Sequence, residues 1–353
     1  MELGRRELHR WVLGMGAAAA LGGPSRLLAA LPAEIDPLKL VDRELRAAAK
    51  AMLAQSFPPM TRAALPALRA GWVAPPLLPP PAPAVEVRTI PGPKGAPEVG
   101  IELIGVRQRT APAPVVLHIH GGGMISGRAR NLTAFCQTLA AEFDCVVVNV
   151  DYRLAPETPF PGPVEDNYAA LAWIAAHAAE LGIDPRRIAV MGESAGGGLA
   201  AMVTLMARDR RGVQPCQQIL IYPMLDDRTG STVTPPAHIA PVGWPAAANR
   251  FGWSAFLGKP AGSAQVPAGA VPAREASLAG LPPTFIGVGA IDLFVDESLA
   301  FGRRLIDAGV PTGVHVAPGA FHAFDFVVPD AAVSRAFTAA WKSALRTAFA
   351  AGA

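Results

Sequence analysis

The chain is poor in cysteine, charge and long apolar runs, and each shortage excludes something. Three cysteines, Cys136, Cys145 and Cys216, are an odd number without metal-ligand spacing. They give neither a disulfide framework nor a zinc pattern. Only 17 % of residues are charged, the net charge is +3, and no basic cluster follows the first 30 residues. Nucleic-acid binding therefore has no electrostatic footprint. No glycine loop of the G-x-x-x-x-G-K-[ST] or G-x-G-x-x-G type is present, which removes the usual nucleotide cradles.

Hydrophobic residues make up 51 % of the 353, enough for a sizeable core in one large domain, or one domain and a cap. The N-terminus is distinct. Arg5-Arg6 precede an apolar Ala/Gly-rich run over 11–23, and Leu28-Ala-Ala30 offers small residues for cleavage. Residues 1–30 read as a twin-arginine export signal, placing the protein in the periplasm. The apolar run is too short to span a bilayer comfortably, so no membrane insertion of the mature chain is expected. The alternatives are an N-terminal helix packed on the active-site mouth and a cytoplasmic protein. Residues 31–84 are expected to form cap helices followed by a Pro-rich linker. Residues 85–353 form the main domain, with a cap insertion at about 225–282.

Within the main domain, 85–89 and 99–107 read as an antiparallel strand pair. Continuous apolar strands at 114–120, 145–150, 188–191, 218–222, 284–289 and 313–317 alternate with helical stretches. That pattern predicts an α/β fold whose mostly parallel sheet is covered on both faces. Residues 225–282 break the alternation. Pro245 to Leu257 reads as one or two short helices over the site, with Trp244 and Phe251 as substrate-facing aromatics.

The organising stretch is Gly192-Glu-Ser-Ala-Gly196, a G-x-S-x-G run between a buried strand and a helix. A serine there sits on a sharp turn, and a Cβ at Gly192 or Gly196 would collide with neighbouring backbone. The turn pushes the Ser194 hydroxyl outward with a helix N-terminus behind it. A plain capping turn is the alternative. Upstream, His120-Gly-Gly-Gly123 follows directly on a strand, so that Gly122 and Gly123 N–H groups, with that of Ala195, can hold an oxyanion. His120 is expected to hold the loop rather than act as base, and Met124 to face an acyl pocket. Asp292 follows a strand, where an acid can orient a histidine. Asp296 is its rival, expected instead to cap a helix. His322 lies in a loop after the last strand. The chain order Ser194, Asp292, His322 is nucleophile, acid, base.

With these motifs, the chain resembles the hormone-sensitive-lipase-type (family IV) bacterial carboxylesterases of the α/β-hydrolase fold. The likeness runs from about Val85 to the C-terminus. It rests on His120–Gly123, Asp151-Tyr-Arg-Leu-Ala-Pro-Glu157, Phe160-Pro-Gly-Pro-Val-Glu-Asp166, Gly192–Gly197, Asp292-Leu-Phe-Val-Asp-Glu297 and His322. It implies an eight-stranded sheet, a helical cap, hydrolysis of short to medium acyl carboxylic esters, and Ser194, Asp292 and His322 as the triad. No metal or organic cofactor is implied. The partner is a small ester, and a homodimer stays open. An amidase or peptidase with the same triad, or a non-catalytic binding module on this fold, are the competing readings. Three departures stand out: Asp292-Leu-Phe for the usual Asp-Pro-Leu, His322-Ala-Phe for His-Gly-Phe, and Glu193 where Asp or Thr is commoner.

Overall fold

A computed structural model describes residues 36–55 and 59–351. The expected export signal lies outside the described residues. Among the described residues, three short α-helices precede the first strand, α1 (Pro37–Leu40), α2 (Arg46–Leu53) and α3 (Leu65–Ala70). The main domain then alternates β1 (Val85–Ile90), β2 (Val99–Ile104), β3 (Ala113–Ile119), α4 (Thr133–Phe143), β4 (Val146–Asp151), α5 (Gly162–Ala176) and α6 (Ala178–Leu181). It continues with β5 (Ile183–Glu193), α7 (Ala195–Asp209), β6 (Gln217–Ile221), α8 (Ala246–Leu257) and β7 (Thr284–Gly289). The last elements are α9 (Val295–Asp307), β8 (Thr312–Ala317), α10 (Phe324–Val327) and α11 (Ala332–Ala351).

The eight strands form one sheet in the order β1-β2-β4-β3-β5-β6-β7-β8. Only β2 runs against its neighbours, antiparallel to both β1 and β4; the remaining pairs are parallel. The apolar strand runs predict this mostly parallel sheet, and the eight strands are those that the family resemblance implies. Successive side chains on a strand face opposite ways, so each strand feeds two cores. Val115, Leu117 and Ile119 join one with Ile188 and Val190. Val116, Val147, Ala189 and Met191 join the other, where Phe337, Trp341, Leu345 and Phe349 of α11 meet them. The four-residue recurrence of those α11 side chains gives the stripe that a helix needs to cover a sheet.

Two expectations need correcting. β2 ends at Ile104, not at residue 107, because Gly105 turns the chain with φ 78. Asp296 does not cap α9. It lies inside the first turn, exposed, and the N-cap position is Phe294, without a side-chain cap bond. The Pro-rich 74–84 stretch carries no helix, as proline's fixed φ and missing N–H dictate.

Candidate active site

β5 is central in the sheet, and its C-terminal end delivers the Gly192–Gly196 turn. Here there is no room for side chains. A Cβ on Gly192 would lie 2.4 Å from the Gly196 carbonyl, and one on Gly196 would lie 2.0 Å from the Ile119 carbonyl oxygen. The tight turn leaves Ser194 at φ 57 and ψ −120, a positive φ that few non-glycine residues adopt. Its backbone is pinned: Ser194 N–H donates to Ile221 O at 2.9 Å, and Ser194 O accepts from Gly198 and Met224 N–H at 3.1 and 3.0 Å. The hydroxyl-bearing side chain stays partly exposed, and strain held by surrounding structure is a recurrent feature of functional turns.

Three side chains distant in sequence converge there. His322 Nε2 lies 2.9 Å from Ser194 Oγ, and His322 Nδ1 lies 2.8 Å from Asp292 Oδ2. Asp292 is fully buried, and its other oxygen accepts the Phe294 N–H at 3.0 Å. With Nδ1–H committed to the carboxylate, Nε2 is the nitrogen that faces the hydroxyl. Two rings clasp the imidazole edgewise, Tyr222 at 4.9 Å and Phe294 at 5.2 Å between centroids. Neither was identifiable as a site residue from the sequence. The one signal for Phe294 was the unusual Asp292-Leu-Phe. Ala323, next to the histidine, takes φ 61, the conformation for which glycine stands at the corresponding place in the resembled family.

The His120–Gly123 loop lies beside the serine. Gly122 and Gly123 have φ 115 and 63, and Gly122 O accepts the Ile125 and Ser126 N–H groups at 3.1 and 3.0 Å. This closes a tight turn. The Gly122 and Gly123 N–H groups have no acceptor among the described residues. Ala195 opens α7, where helix geometry leaves the first N–H groups without an intrahelical partner. His120 holds the loop from within. Burial pushes it down to about 4, its Nδ1 bonds Gly121 O at 2.7 Å, and its ring stacks on Tyr152 at 4.2 Å.

The expected pocket residues fall unevenly. Trp244 is 8 % exposed and reaches over Gly123. Phe251 on α8 is half-buried. Met124 is 0 % exposed, enclosed beneath the loop and near Gly198, so it presents no open surface to an acyl chain in this state.

Beneath the serine, a row of polar side chains crosses four strands, and sequence reading did not find it. Glu102 on β2 pairs in register with Asn149 on β4, and Asn149 with His118 on β3. Asn149 Nδ2 donates to Glu102 Oε2 and Ala129 O at 2.9 and 2.7 Å. Its oxygen therefore accepts from His118 Nδ1 at 2.9 Å. His118 Nε2 then meets both Glu193 oxygens at 3.1 Å. Burial by itself pushes the His118 ring down, yet Cys136 and Glu193 beside it hold it well above its ordinary value. Such a buried pair is tolerated only when both partners are satisfied, which ties Glu193 firmly to the sheet one residue before Ser194. Among the described residues no cluster has a metal-holding donor set, and no helix is long and apolar enough to cross a membrane.

Comparison with known proteins agrees with this fold. The α/β-hydrolase fold family matches residues 116–326. Esterase LipI of Mycobacterium tuberculosis is 39 % identical over 218 residues, 61 % of this chain and 66 % of that protein. Carboxylesterase NlhH of the same organism is 37 % identical over 229 residues, 62 % of this chain and 70 % of its own length. The chain thus spans about two thirds of these relatives. Among solved structures, a bacterial heroin esterase superposes with a TM-score of 0.78 at 38 % identity, covering 89 % of this chain and 99 % of that one. Esterase LipW from Mycobacterium marinum superposes at 0.74 with 30 % identity, covering 90 % and 98 %. The chain belongs to the α/β-hydrolase family, in its hormone-sensitive-lipase-like (family IV) branch.

Proposed function

We propose that the protein is a serine carboxylesterase that cleaves short to medium acyl esters through an acyl-enzyme on Ser194. The observation that carries this is the unbroken contact from Ser194 Oγ through the His322 ring to Asp292. His322 Nε2 takes the hydroxyl proton as Oγ attacks the ester carbonyl. Asp292 holds the tautomer and steadies the imidazolium that forms. The N–H groups of Gly122, Gly123 and Ala195 stabilise the tetrahedral oxyanion, and loss of one such donor typically costs about 3–4 kcal/mol of barrier. His322 returns the proton to the leaving alcohol, then activates the water that releases the acid. The mycobacterial relatives are an esterase and a carboxylesterase, and the apolar Trp244 and Phe251 side favours apolar acyl or alcohol groups.

The test uses p-nitrophenyl esters of increasing chain length, with Ser194→Ala as control and a fluorophosphonate probe to label the nucleophile. Wild-type turnover by the Ser194→Ala variant would overturn the reading. A matched amide series separates esterase from amidase. A protein that takes no probe at Ser194 and turns over neither series is a binding module. The Arg5-Arg6 pair and the apolar run after it support export as a further part of the proposal. A mature N-terminus at Met1 would refute that part.

A further inference from the structure

We propose that Arg69, on the short helix α3 ahead of the main domain, is a positioning residue for the oxyanion turn. The inference rests on the esterase reading above. Arg69 lies 56 residues before the turn that it touches. Its Nε donates to Ile125 O at 2.8 Å, and its Nη2 donates to Ala155 O at 3.0 Å. The far edge of the guanidinium pairs with both Glu157 oxygens, at 3.0 and 2.7 Å. Leu65 and Leu68 of the same helix are buried in the core, so the arginine is held from behind.

Ile125 is the exit of the oxyanion turn. Three successive residues there, Gly122, Gly123 and Met124, have positive φ, at 115, 63 and 65. Such a run has little intrinsic preference for one shape and needs outside restraint. Two tethers supply it. Ala155 N–H donates to Met124 O at 2.9 Å, and Arg69 holds both Ile125 O and the carbonyl of that same Ala155. A planar guanidinium can span these acceptors at once, whereas a lysine ammonium on a flexible stem cannot reproduce the fork. The Glu157 contact is the dispensable part. That carboxylate is 58 % exposed, and solvent-exposed ion pairs contribute little. Arg69 thereby links the seating of the N-terminal helix to the alignment of the Gly122 and Gly123 N–H groups, without touching substrate.

The experiment compares wild type, Arg69→Met, Arg69→Ala, Arg69→Lys and Glu157→Gln on p-nitrophenyl butyrate. Amide hydrogen exchange over residues 122–126 is read in the same proteins. Arg69→Met is expected to lower kcat on the order of 10- to 100-fold, the scale of a small misplacement of catalytic groups. KM should stay within about twofold, and exchange in the turn should rise. Arg69→Lys should fall between. Glu157→Gln should keep at least about half of the wild-type kcat, because both carbonyl contacts survive. In Arg69→Ala, millimolar guanidinium should restore part of kcat and ethylammonium should not, which a merely misfolded variant could not show. Unchanged kcat and exchange in Arg69→Met, or equal loss in Glu157→Gln, would overturn the inference. A wild-type protein without Ser194-dependent turnover would instead refute the esterase reading, while the exchange measurement would still decide the role of Arg69 in the turn.

Discussion

The indole of Trp244 lies against the backbone of Gly123. A Cβ placed on that glycine would sit 2.6 Å from the far edge of the ring. The Trp244 ring and the turn at Gly123 therefore meet without a gap, and a Cβ placed on Gly252 of α8 would likewise sit 2.7 Å from Gly123 O. Gly123→Ala faces both this clash and φ 63, so the turn must shift. A loss of about 10²–10³ in kcat is expected, the scale for one oxyanion donor. Adding Trp244→Ala removes the clash but not the φ, so the double variant should recover only part. Full recovery would show that sterics alone set the effect.

The Asp292 carboxylate is buried and engages both the imidazole and the Phe294 N–H. Asp292→Asn keeps the shape but offers the ring the wrong tautomer, and should lower kcat by about 10⁴. Steady-state kinetics on a p-nitrophenyl ester measures this. A loss under tenfold would mean that another acid orients His322.

Ala323 supplies a stability prediction. An L-residue in the left-handed region costs roughly 1–2 kcal/mol. Glycine relieves that cost but adds about 0.5–1 kcal/mol of unfolded-state entropy. Ala323→Gly should thus be neutral to about 1 kcal/mol stabilising, read as a thermal midpoint that holds or rises. A clear fall would show that the Ala323 methyl packs in a way that offsets its backbone strain.

Asp325 is expected to make stability depend on pH. Burial pushes its carboxyl from 3.8 up to about 7, with Tyr222 and Glu193 as neighbours. The folded chain keeps a proton that the unfolded chain releases. The stability linked to that proton is complete below pH 3.8 and is lost as pH rises towards 7. Asp325→Asn, which mimics the protonated form, should therefore stabilise the protein at pH 8 and change little at pH 4. Denaturant unfolding at both values tests this. An equal effect at the two would remove Asp325 as the source.

Much of this molecule was legible from its residues. Apolar strand runs such as 284–289 need burial on both faces, and glycines at 192 and 196 allow a turn that no other residue fits. These are local constraints, and local constraints are written in order along the chain. The three residues that meet at Ser194 were legible because they stand in chain order after strand ends. Other features left no such mark. Nothing about Arg69 in isolation shows that it reaches Ile125, or about His118 that it faces Glu193, since their partners are 56 and 75 residues away. Met124 followed the glycines and was expected to line a pocket, but packing placed it beneath the loop at 0 % exposure.

By itself, then, the sequence determined the alternation of strands and helices, the serine turn and the identity of the three side chains that converge at Ser194, because these depend on periodicity, steric room and functional groups. Only the tertiary structure decided which rings flank His322, which helix carries the arginine that bonds Ile125 O and which polar groups are paired under Ser194. Those depend on distances across the sheet, set when the two cores pack and every buried polar atom must find a partner that the chain order does not name.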